Sequence, residues 1–467
     1  MSERFDLVVR GGTVATAAEV VACDIGVRDG SIAALGKGLE RGRNEIDARG
    51  LVVTPGGVDA HCHMDQPMPA PMKMADDFAS GTLSAACGGT TTVIPFAAQE
   101  KGHSVVAAVD DYHRRAEGRA YVDYAFHLIV TDPTPKVLEE ELPKLIRSGY
   151  TSFKTYMTYD DLKLSDRQIL EVLALARREG AMPMIHAENA DCIAWLTDLL
   201  EKAGRTAPRY HADSRPKVVE REATHRAISL AELVDVPLLI VHVSGAEAME
   251  QIRWAQGRGL RVYAETCPQY LFLTEAHLGG EGYEGAKCVC SPPPRDEANQ
   301  QAIWQGLASG VFHIFSSDHA PFGYEDPHGK KLGGKAVPFR YIPNGIPGIE
   351  TRLALLFSEG VGKGRIDLQR FVALTATHPA KLYGLYPKKG TIAPGSDADL
   401  TIWDPQWEVT VTNALLHHNV DYTPYEGMRL KGWPKLTLSR GEVVCEEGRP
   451  AAARGRGKFL AAGMPAA

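Results

Sequence analysis

Short apolar segments alternate with helix-like segments through the middle of the chain. The apolar segments that predict strands are GGVDAHCH, TTTVIPFA, VDYAFHLIV, TSFKTYM, AMPMIHAE, VPLLIVHVSG, LRVYAETC and FHIFSSDHA. Helical patterns lie between most of them. Eight strands that alternate with helices over roughly 330 residues predict an α/β fold, a (β/α)8 TIM barrel with insertions. The alternative, an open doubly wound sheet, is not supported by a G-x-G-x-x-G turn after a strand.

The clearest helix signal is the segment LSDRQILEVLALARREG. Ser165 and Gln168 have the spacing of a capping box, and apolar residues follow at helical spacing. Gly180 is suited to end the helix because glycine adopts the left-handed conformation of a C-terminal cap. The pattern predicts a helix that begins after Ser165 and ends at Gly180.

The two ends of the chain have a different pattern. Residues 5–54 alternate apolar and polar positions around Gly and Asp-Gly turns, and the same pattern returns after residue 388. We therefore predict one small β-sandwich domain formed by both termini. The predicted division is 1–54 and 388–455 for this domain, 55–387 for the barrel, and 456–467 for a flexible tail that could wrap a neighbouring subunit.

Composition fits an ordinary globular enzyme and narrows its partners. The chain has 467 residues, 44% of them hydrophobic, and a formal net charge of −7. A net negative charge does not indicate a basic protein surface, so we expect no nucleic-acid partner. We also expect no membrane partner, because no apolar run is long enough and the first residues lack a signal-peptide pattern. Eight scattered cysteines are typical of reduced thiols, and we predict a cytoplasmic protein.

Lys154 occupies an unexpected place in the fourth predicted strand. It lies in the middle of TSFKTYM, among β-branched and aromatic residues. Burying an ammonium group costs several kcal/mol unless the group is paired or neutralised. An unpaired buried charge costs about 3–5 kcal/mol of stability. This stretch alone therefore favours a Lys154 that faces solvent over one that is buried with altered chemistry.

Metal-binding side chains occur where the predicted barrel strands end. In such barrels the reactive groups gather at the carboxyl ends of the strands. The residues that stand there are His61, His63, Lys154, His186, His242 and Asp318. Imidazole and carboxylate groups are ligands for zinc and similar divalent metals. Each residue alone is a weak signal, but five such ligands at strand ends of one barrel predict a metal site.

Seven motifs in order resemble the cyclic amidohydrolases, most of all the dihydropyrimidinase and hydantoinase family. The motifs are GGVDAHCHMD, SFKTYMTY, IHAEN, VHVSG, CSPPPR, SSDHAPF and IPNGIPGIE. The resemblance extends from about residue 5 to residue 455 and includes HHNVDYTPYEGM near the end. It implies an enzyme that opens cyclic amides, namely 5,6-dihydropyrimidines and 5-substituted hydantoins, to N-carbamoyl amino acids.

The resemblance also implies the cofactor. Two divalent metal ions are expected, with zinc favoured and manganese or cobalt as alternatives. Lys154 matches the lysine that the family carboxylates on its side-chain nitrogen, and this N6-carboxylysine would bridge both ions. One ion would take His61, His63 and Asp318, and the other would take His186 and His242. A bridging hydroxide would attack the ring carbonyl, and Asp318 would shuttle the proton.

Residues expected to contact the substrate follow from the same resemblance. Tyr159 matches the tyrosine that stabilises the oxyanion, and Ser291 and Asn344 match positions whose backbone holds the ring. The loop MDQPMPAPMKM departs from the family at Gln66, which is polar where an apolar residue is expected. Gln66 is therefore a candidate contact for a hydrogen-bonding ring substituent. The methionines of this loop predict either an adaptable lid or a packed loop.

Three questions stay open at the level of sequence. An allantoinase or cyclic imidase would have the same metal centre with different loops. A non-catalytic scaffold related to dihydropyrimidinase is a distant alternative, disfavoured by the complete ligand set. The family commonly forms homotetramers, so we expect a homotetramer, although no pattern in the chain itself requires one.

Overall fold

The computed structural model of the chain describes residues 5–466, which form a barrel and a second sheet. The second sheet begins with five strands at the N-terminus. These are β1 (Leu7–Ala15), β2 (Val20–Arg28), β3 (Ser31–Gly36), β4 (Asn44–Asp47) and β5 (Val52–Pro55). They are antiparallel where Asp-Gly turns connect them, as between β2 and β3 around Asp29 and Gly30.

The barrel follows, and its strands are parallel. They are β6 (Gly57–Cys62), β7 (Thr90–Ala98), β8 (Asp123–Tyr124), β9 (His127–Ile129), β10 (Ser152–Tyr156), β11 (Met182–His186), β12 (Leu238–Ile240), β13 (Val262–Thr266) and β14 (Ile314–Phe315). All eight predicted strands are present, and the third is divided into β8 and β9, which both pair with β7. The remaining pairs join sequential strands from β9 to β14. The predicted (β/α)8 fold is confirmed.

The barrel closes between its first and last strands just beyond their regular parts. Cys62 pairs with His319 in a parallel bridge, and the backbone N–H of His63 donates to the His319 carbonyl at 2.7 Å. This contact places the residues after β6 beside those after β14. The closure therefore brings His61 and His63, at the first barrel strand, next to Asp318, which follows the last strand.

Helices cover the outside of the barrel. They are α1 (Phe78–Cys87), α2 (Val105–Ala116), α3 (Leu142–Arg147), α4 (Asp166–Glu179), α5 (Ala190–Lys202), α6 (Tyr210–Asp213), α7 (Lys217–Val234), α8 (Ala246–Gly257), α9 (Gln269–Phe272), α10 (Glu297–Ser309), α11 (Arg352–Leu356), α12 (Leu368–Val372) and α13 (His378–Leu382). Short 3₁₀ or π turns are Val137–Glu141, Glu275–Gly279, Glu284–Cys288, Leu332–Gly334, Phe339–Tyr341, Phe357–Val361, Ala373–Thr377 and Asn413–Leu415. Among the described residues, no helix is long and apolar enough to cross a membrane.

Helix α4 agrees with its sequence signal. The Ser165 hydroxyl accepts from the Gln168 backbone, and the Gln168 side chain accepts from the Ser165 backbone. Gly180 caps the other end with a φ of 73°, a left-handed conformation that favours glycine. The predicted capping box and both helix ends are confirmed.

The C-terminal strands complete the second sheet. They are β15 (Leu400–Thr410), β16 (Arg429–Ser439), β17 (Glu442–Glu446) and β18 (Arg449–Pro450). β15 pairs with β5, so strands from both ends of the chain share one sheet, as the sequence predicted. Trp403 of β15 is fully buried, stacks on Phe357 at 4.5 Å and donates its indole N–H to Thr54.

A buried ion cluster also joins the sheet to the barrel. Lys389 is almost completely buried, and its ammonium lies 2.7 Å from Asp123 in β8. The same ammonium lies 2.9 Å from Asp397 and 2.8 Å from Asp399, just before β15. One cation therefore neutralises carboxylates from both parts of the molecule, which is the condition for burying such charges.

The segment predicted as a flexible tail lies along the barrel of its own chain. Its backbone exchanges hydrogen bonds with Tyr124, since Tyr124 N–H donates to Lys458 and Leu460 N–H donates to Tyr124. Phe459 packs against Tyr124, Phe126 and Tyr150, with ring centroids 5.3–6.1 Å apart. Apolar packing of Phe459 and Leu460 fixes the position of this segment in the structure.

Candidate metal centre

The six predicted metal-binding residues converge inside one end of the barrel. All lie within or directly after barrel strands, at the carboxyl ends, and all are buried. They are His61 in β6, His63 after it, Lys154 in β10, His186 at the end of β11, His242 after β12 and Asp318 after β14. The structure thus brings together side chains that are up to 257 positions apart, from His61 to Asp318.

One group of donors surrounds His61. The Nε2 atom of His61 lies 2.9 Å from the Lys154 ammonium nitrogen and 3.3 Å from Oδ1 of Asp318. The same Oδ1 lies 3.6 Å from Nε2 of His63. One potential ligand atom from each of His61, His63 and Asp318 therefore lies close enough to the others to bind a single ion.

A second group lies beside the first. Nδ1 of His186 lies 2.9 Å from Nε2 of His242, and the His242 ring centroid is 5.4 Å from that of His61. His242 and Asp318 both adopt positive φ, 40° and 47°, which is uncommon outside glycine. Such conformations cost free energy and recur at functional sites, where they direct a side chain into the site.

Hydrogen-bond partners set the tautomers of these histidines. Nδ1 of His61 lies 2.5 Å from Glu265, and Nε2 of His186 lies 2.7 Å from Glu188. With Glu265 and Glu188 as acceptors, these nitrogens carry the protons and the opposite nitrogens keep their lone pairs. The lone pairs of His61 Nε2 and His186 Nδ1 then point into the site.

The protonation states fit a divalent cation. Burial lowers the pKa of His61, His186 and His242 well below the ordinary value, which keeps the imidazoles neutral. Burial opposes ionisation of Asp318, yet the polar groups of the site hold the pKa of this carboxyl below its usual range, so the group is ionised. Nδ1 of His242 is buried and has no hydrogen-bond partner among residues 5–466. Neutral imidazoles around an ionised carboxylate are the donor set that zinc requires.

The solvent-facing interpretation of Lys154 is wrong. Lys154 is 1% exposed, and its ammonium nitrogen lies 4.6 Å and 4.9 Å from the ring centroids of Phe96 and Tyr156. Burial lowers the pKa of Lys154 to about 8. About one tenth of this amine is therefore neutral at pH 7, and a neutral amine is a nucleophile. The strand pattern alone could not show which face of β10 points into the barrel.

Three residues that support the site were not predicted from sequence. Glu265 and Glu188 orient His61 and His186, as described above, and the amide of Gln269 donates to Oδ2 of Asp318 at 3.3 Å. The position of Glu265 at the end of the seventh strand was an available signal, as was Glu188 in IHAEN, two residues after His186. Gln269 follows β13 on a short helix and had no comparable signal.

Tyr159 and Asn344 lie together at the edge of the site. The Asn344 amide donates to the Tyr159 hydroxyl at 3.3 Å, and the Tyr159 ring centroid is 5.4 Å from that of His186. Burial raises the pKa of Tyr159 to about 12, so its hydroxyl stays protonated and can donate. Oδ1 of Asn344 is buried without a hydrogen-bond partner within the described part of the chain, and the Ser291 hydroxyl lies beside Tyr159 and Glu188. The Asn344 oxygen is available to a ligand.

Gln66 lies beside His63, one of the predicted metal ligands. Its side-chain oxygen is 2.7 Å from Nδ1 of His63. An amide oxygen accepts, so Nδ1 of His63 carries the proton and Nε2 faces Asp318 with its lone pair. Farther along this loop, Met74 is buried against Phe322 and Met68 packs beside them, so part of the methionine-rich loop is packed on its neighbours.

Comparison with known proteins agrees with this geometry. Residues 52–444 match the amidohydrolase family. The chain is 44% identical to a D-hydantoinase of Ralstonia pickettii over 97% of this chain and 98% of that one, and 45% identical to a D-hydantoinase of Geobacillus stearothermophilus over 97% and 95%. A crystal structure of dihydropyrimidinase from Brevibacillus agri has a TM-score of 0.95 at 41% identity, covering 98% of this chain and 99% of that one. This chain belongs to the amidohydrolase family, on the branch of the D-hydantoinases and dihydropyrimidinases.

Proposed function

We propose that the protein is a metal-dependent hydrolase that opens the rings of 5,6-dihydropyrimidines and 5-substituted hydantoins to N-carbamoyl amino acids. The observation that carries this proposal is the pair of donor groups around His61 and around His186 and His242, at the carboxyl end of the barrel. The relatives named D-hydantoinase and dihydropyrimidinase, matched over nearly the whole chain, supply the substrate class.

The amidohydrolase family implies a binuclear metal centre. We assign His61, His63 and Asp318 to one ion, and His186 and His242 to the other. Lys154 would join both after its neutral amine adds to carbon dioxide and releases a proton, because the resulting carbamate shares one negative charge between two oxygens. Zinc suits the donors, and manganese or cobalt would also be accepted. The two cations would polarise the ring carbonyl and make a water molecule acidic.

The residues around the centre then have separate tasks. Asp318 would take a proton from the attacking water and deliver it to the departing ring nitrogen, while Gln269 holds its other oxygen. Tyr159, kept protonated by burial, would donate to the developing oxyanion. The segments that carry Ser291 and Asn344 lie side by side, since the Gly345 N–H donates to Val289, and they would hold the polar edge of the ring.

The other functions considered are less well supported. An allantoinase or cyclic imidase is not favoured, because the relatives described above are hydantoinases and a dihydropyrimidinase. A scaffold without catalysis would not need the complete donor set, which is intact here. Gln66 accepts a hydrogen bond from His63 in the structure. We therefore assign Gln66 primarily to the metal centre, and only secondarily to contact with the substrate.

We also propose a cytoplasmic homotetramer. Trp195 and Leu199 lie one turn apart on α5 and are 64% and 44% exposed, an apolar pair that suits an interface between subunits. The cysteines are all unbonded, which fits a reducing compartment. Molar mass in solution, measured by light scattering, tests the tetramer directly.

Ring-opening activity of metal-analysed protein tests the main proposal. The panel is dihydrouracil, hydantoin, 5-phenylhydantoin, allantoin and succinimide. We expect turnover of the first three and loss of activity after chelation, with recovery when zinc is restored. Turnover of allantoin or succinimide alone would contradict the substrate class while leaving the metal chemistry in place. A metal-replete protein that opens none of the rings would contradict the function.

A further inference from the structure

A second cluster of metal-binding side chains lies away from the candidate metal centre. One potential ligand atom from each of Cys87, Glu350 and His417 lies within 4.8 Å of the other two. Sγ of Cys445 lies 3.1 Å from Sγ of Cys87. These four residues, here called the Cys87 cluster, come from four distant parts of the sequence and meet only in the folded chain.

The Cys87 cluster is largely shielded from water. Cys87 is 1% exposed, and Glu350 and Cys445 are each 3% exposed. Oε1 of Glu350 lies 2.8 Å from Nδ1 of His417, and Oε2 accepts from the His417 backbone N–H at 2.8 Å. Glu350 thus holds the imidazole of His417 at the cluster. The two form an ion pair when the imidazole is protonated, and two buried thiols lie beside this pair.

We propose that the Cys87 cluster binds one structural zinc ion. Thiolate, imidazole and carboxylate are the zinc ligands of proteins; Cys87, His417 and Glu350 supply one of each, and the Cys445 thiol beside Cys87 offers a fourth donor. Binding would displace the two thiol protons, and the dication would offset two of the three negative charges on the thiolates and the carboxylate.

The spacing of the sulfur atoms is compatible with this ion. Two sulfurs bound to one tetrahedral zinc at about 2.3 Å lie roughly 3.8 Å apart. The observed 3.1 Å would have to open by about 0.7 Å, which small rotations of two cysteine side chains provide. The separation is also well beyond a disulfide bond of about 2.05 Å.

The location indicates a structural role. Cys87 ends α1 and lies three residues before β7 begins at Thr90, so it lies at the amino end of the barrel strands. The candidate metal centre is at the opposite, carboxyl end. Glu350 precedes α11, whereas Cys445 belongs to β17 of the second sheet. A zinc ion here would link a barrel helix to the sheet formed by the chain termini.

Cobalt substitution of the full-length protein tests the proposal. A cobalt–thiolate bond produces a charge-transfer absorption in the near ultraviolet, and the candidate metal centre contains no cysteine among its assigned residues. We expect this band in the wild-type cobalt protein and in the Lys154→Ala variant. We expect it to be absent from Cys87→Ser/Cys445→Ser, which should also bind one zinc fewer per chain by elemental analysis. The control Cys23→Ser/Cys192→Ser should keep both the band and the ion.

Three results would overturn the proposal, and the first two do not depend on the variants folding. One is a wild-type cobalt protein without the thiolate band, although cobalt occupies its other sites. Another is a disulfide, detected as two thiols too few when the denatured wild-type protein is titrated without reductant. Zinc content that is equal in the cysteine variant and in the control would also contradict it.

Discussion

The side chain of Lys154 points at His61 inside the barrel, with Nζ 2.9 Å from Nε2. The other nitrogen of that imidazole carries its proton toward Glu265, so a lone pair faces the lysine. The pair joins β6 to β10 across the barrel interior. This contact places Lys154 beside the donor group around His61.

Lys154→Ala should remove the bridge and most of the bound metal. We expect kcat to fall by more than about 100-fold, since loss of a supporting residue around a metal already costs about 10- to 100-fold. Metal analysis and steady-state kinetics measure both effects. Lys163→Ala, nine residues along and partly exposed, serves as the control and should change neither. A fully metallated and fully active Lys154→Ala enzyme would refute the proposed centre.

Tyr159→Phe should lower kcat about 100- to 1,000-fold without loss of metal, because a single oxyanion donor contributes about 2.7–4 kcal/mol. The variant keeps the ring that packs near His186 and removes only the hydroxyl. Tyr263→Phe, half-buried in β13, is a matched control. Loss of metal from Tyr159→Phe would assign this tyrosine a structural role instead.

Gln66→Leu should weaken metal binding about 10- to 100-fold, because it removes the acceptor that orients His63. Competition with a chelator measures the affinity. Gln66→Glu keeps an acceptor oxygen and should retain the metal. If Gln66→Leu changes only KM and the substituent preference, Gln66 contacts the substrate and the orienting role is wrong.

Lys389→Met should reduce the free energy of unfolding by about 3–5 kcal/mol, because it leaves buried carboxylates without their cation. Urea denaturation followed by circular dichroism measures the change. Lys388→Met alters the exposed neighbouring residue and should stay within about 0.5 kcal/mol of the wild type. Equal stability of the two variants would show that the cluster is dispensable.

His127 should make the protein less stable in acid. Burial lowers its pKa to about 3, and its ring nitrogens bond to Ser152 and the Ala60 carbonyl in the neutral form. Below pH 6.5 His127 takes up a proton in the unfolded chain, whereas in the folded chain it stays neutral until about pH 3. Its contribution to the free energy of unfolding is therefore complete above pH 6.5 and is lost as the pH falls toward about 3. The slope for this group is up to about 1.4 kcal/mol per pH unit. His127→Gln should have a shallower dependence, and parallel curves would contradict the assignment.

Some features of the site follow from short stretches of sequence, and others depend on the folded chain. His61 and His63 belong to one H-x-H motif, and strand alternation places both rings on the same side without any knowledge of the fold. The capping box of Ser165 and Gln168 is equally local, and the helix begins where it predicts. Burial of Lys154 is not local, because the face of β10 that points inward depends on the strands paired on either side.

The sequence by itself determined the alternation of strands and helices, the shared sheet of the two termini and the strand-end positions of the metal-binding side chains. These follow from periodicity and from residue types, which are properties of short segments. The tertiary structure decided the partners: Glu265 for His61, Gln66 for His63, and Cys445 for Cys87. The Glu265 and Cys445 pairs are 204 and 358 residues apart, and only closure of the barrel and docking of the second sheet bring their atoms together, whereas the Gln66 pair depends on the path of the loop after β6.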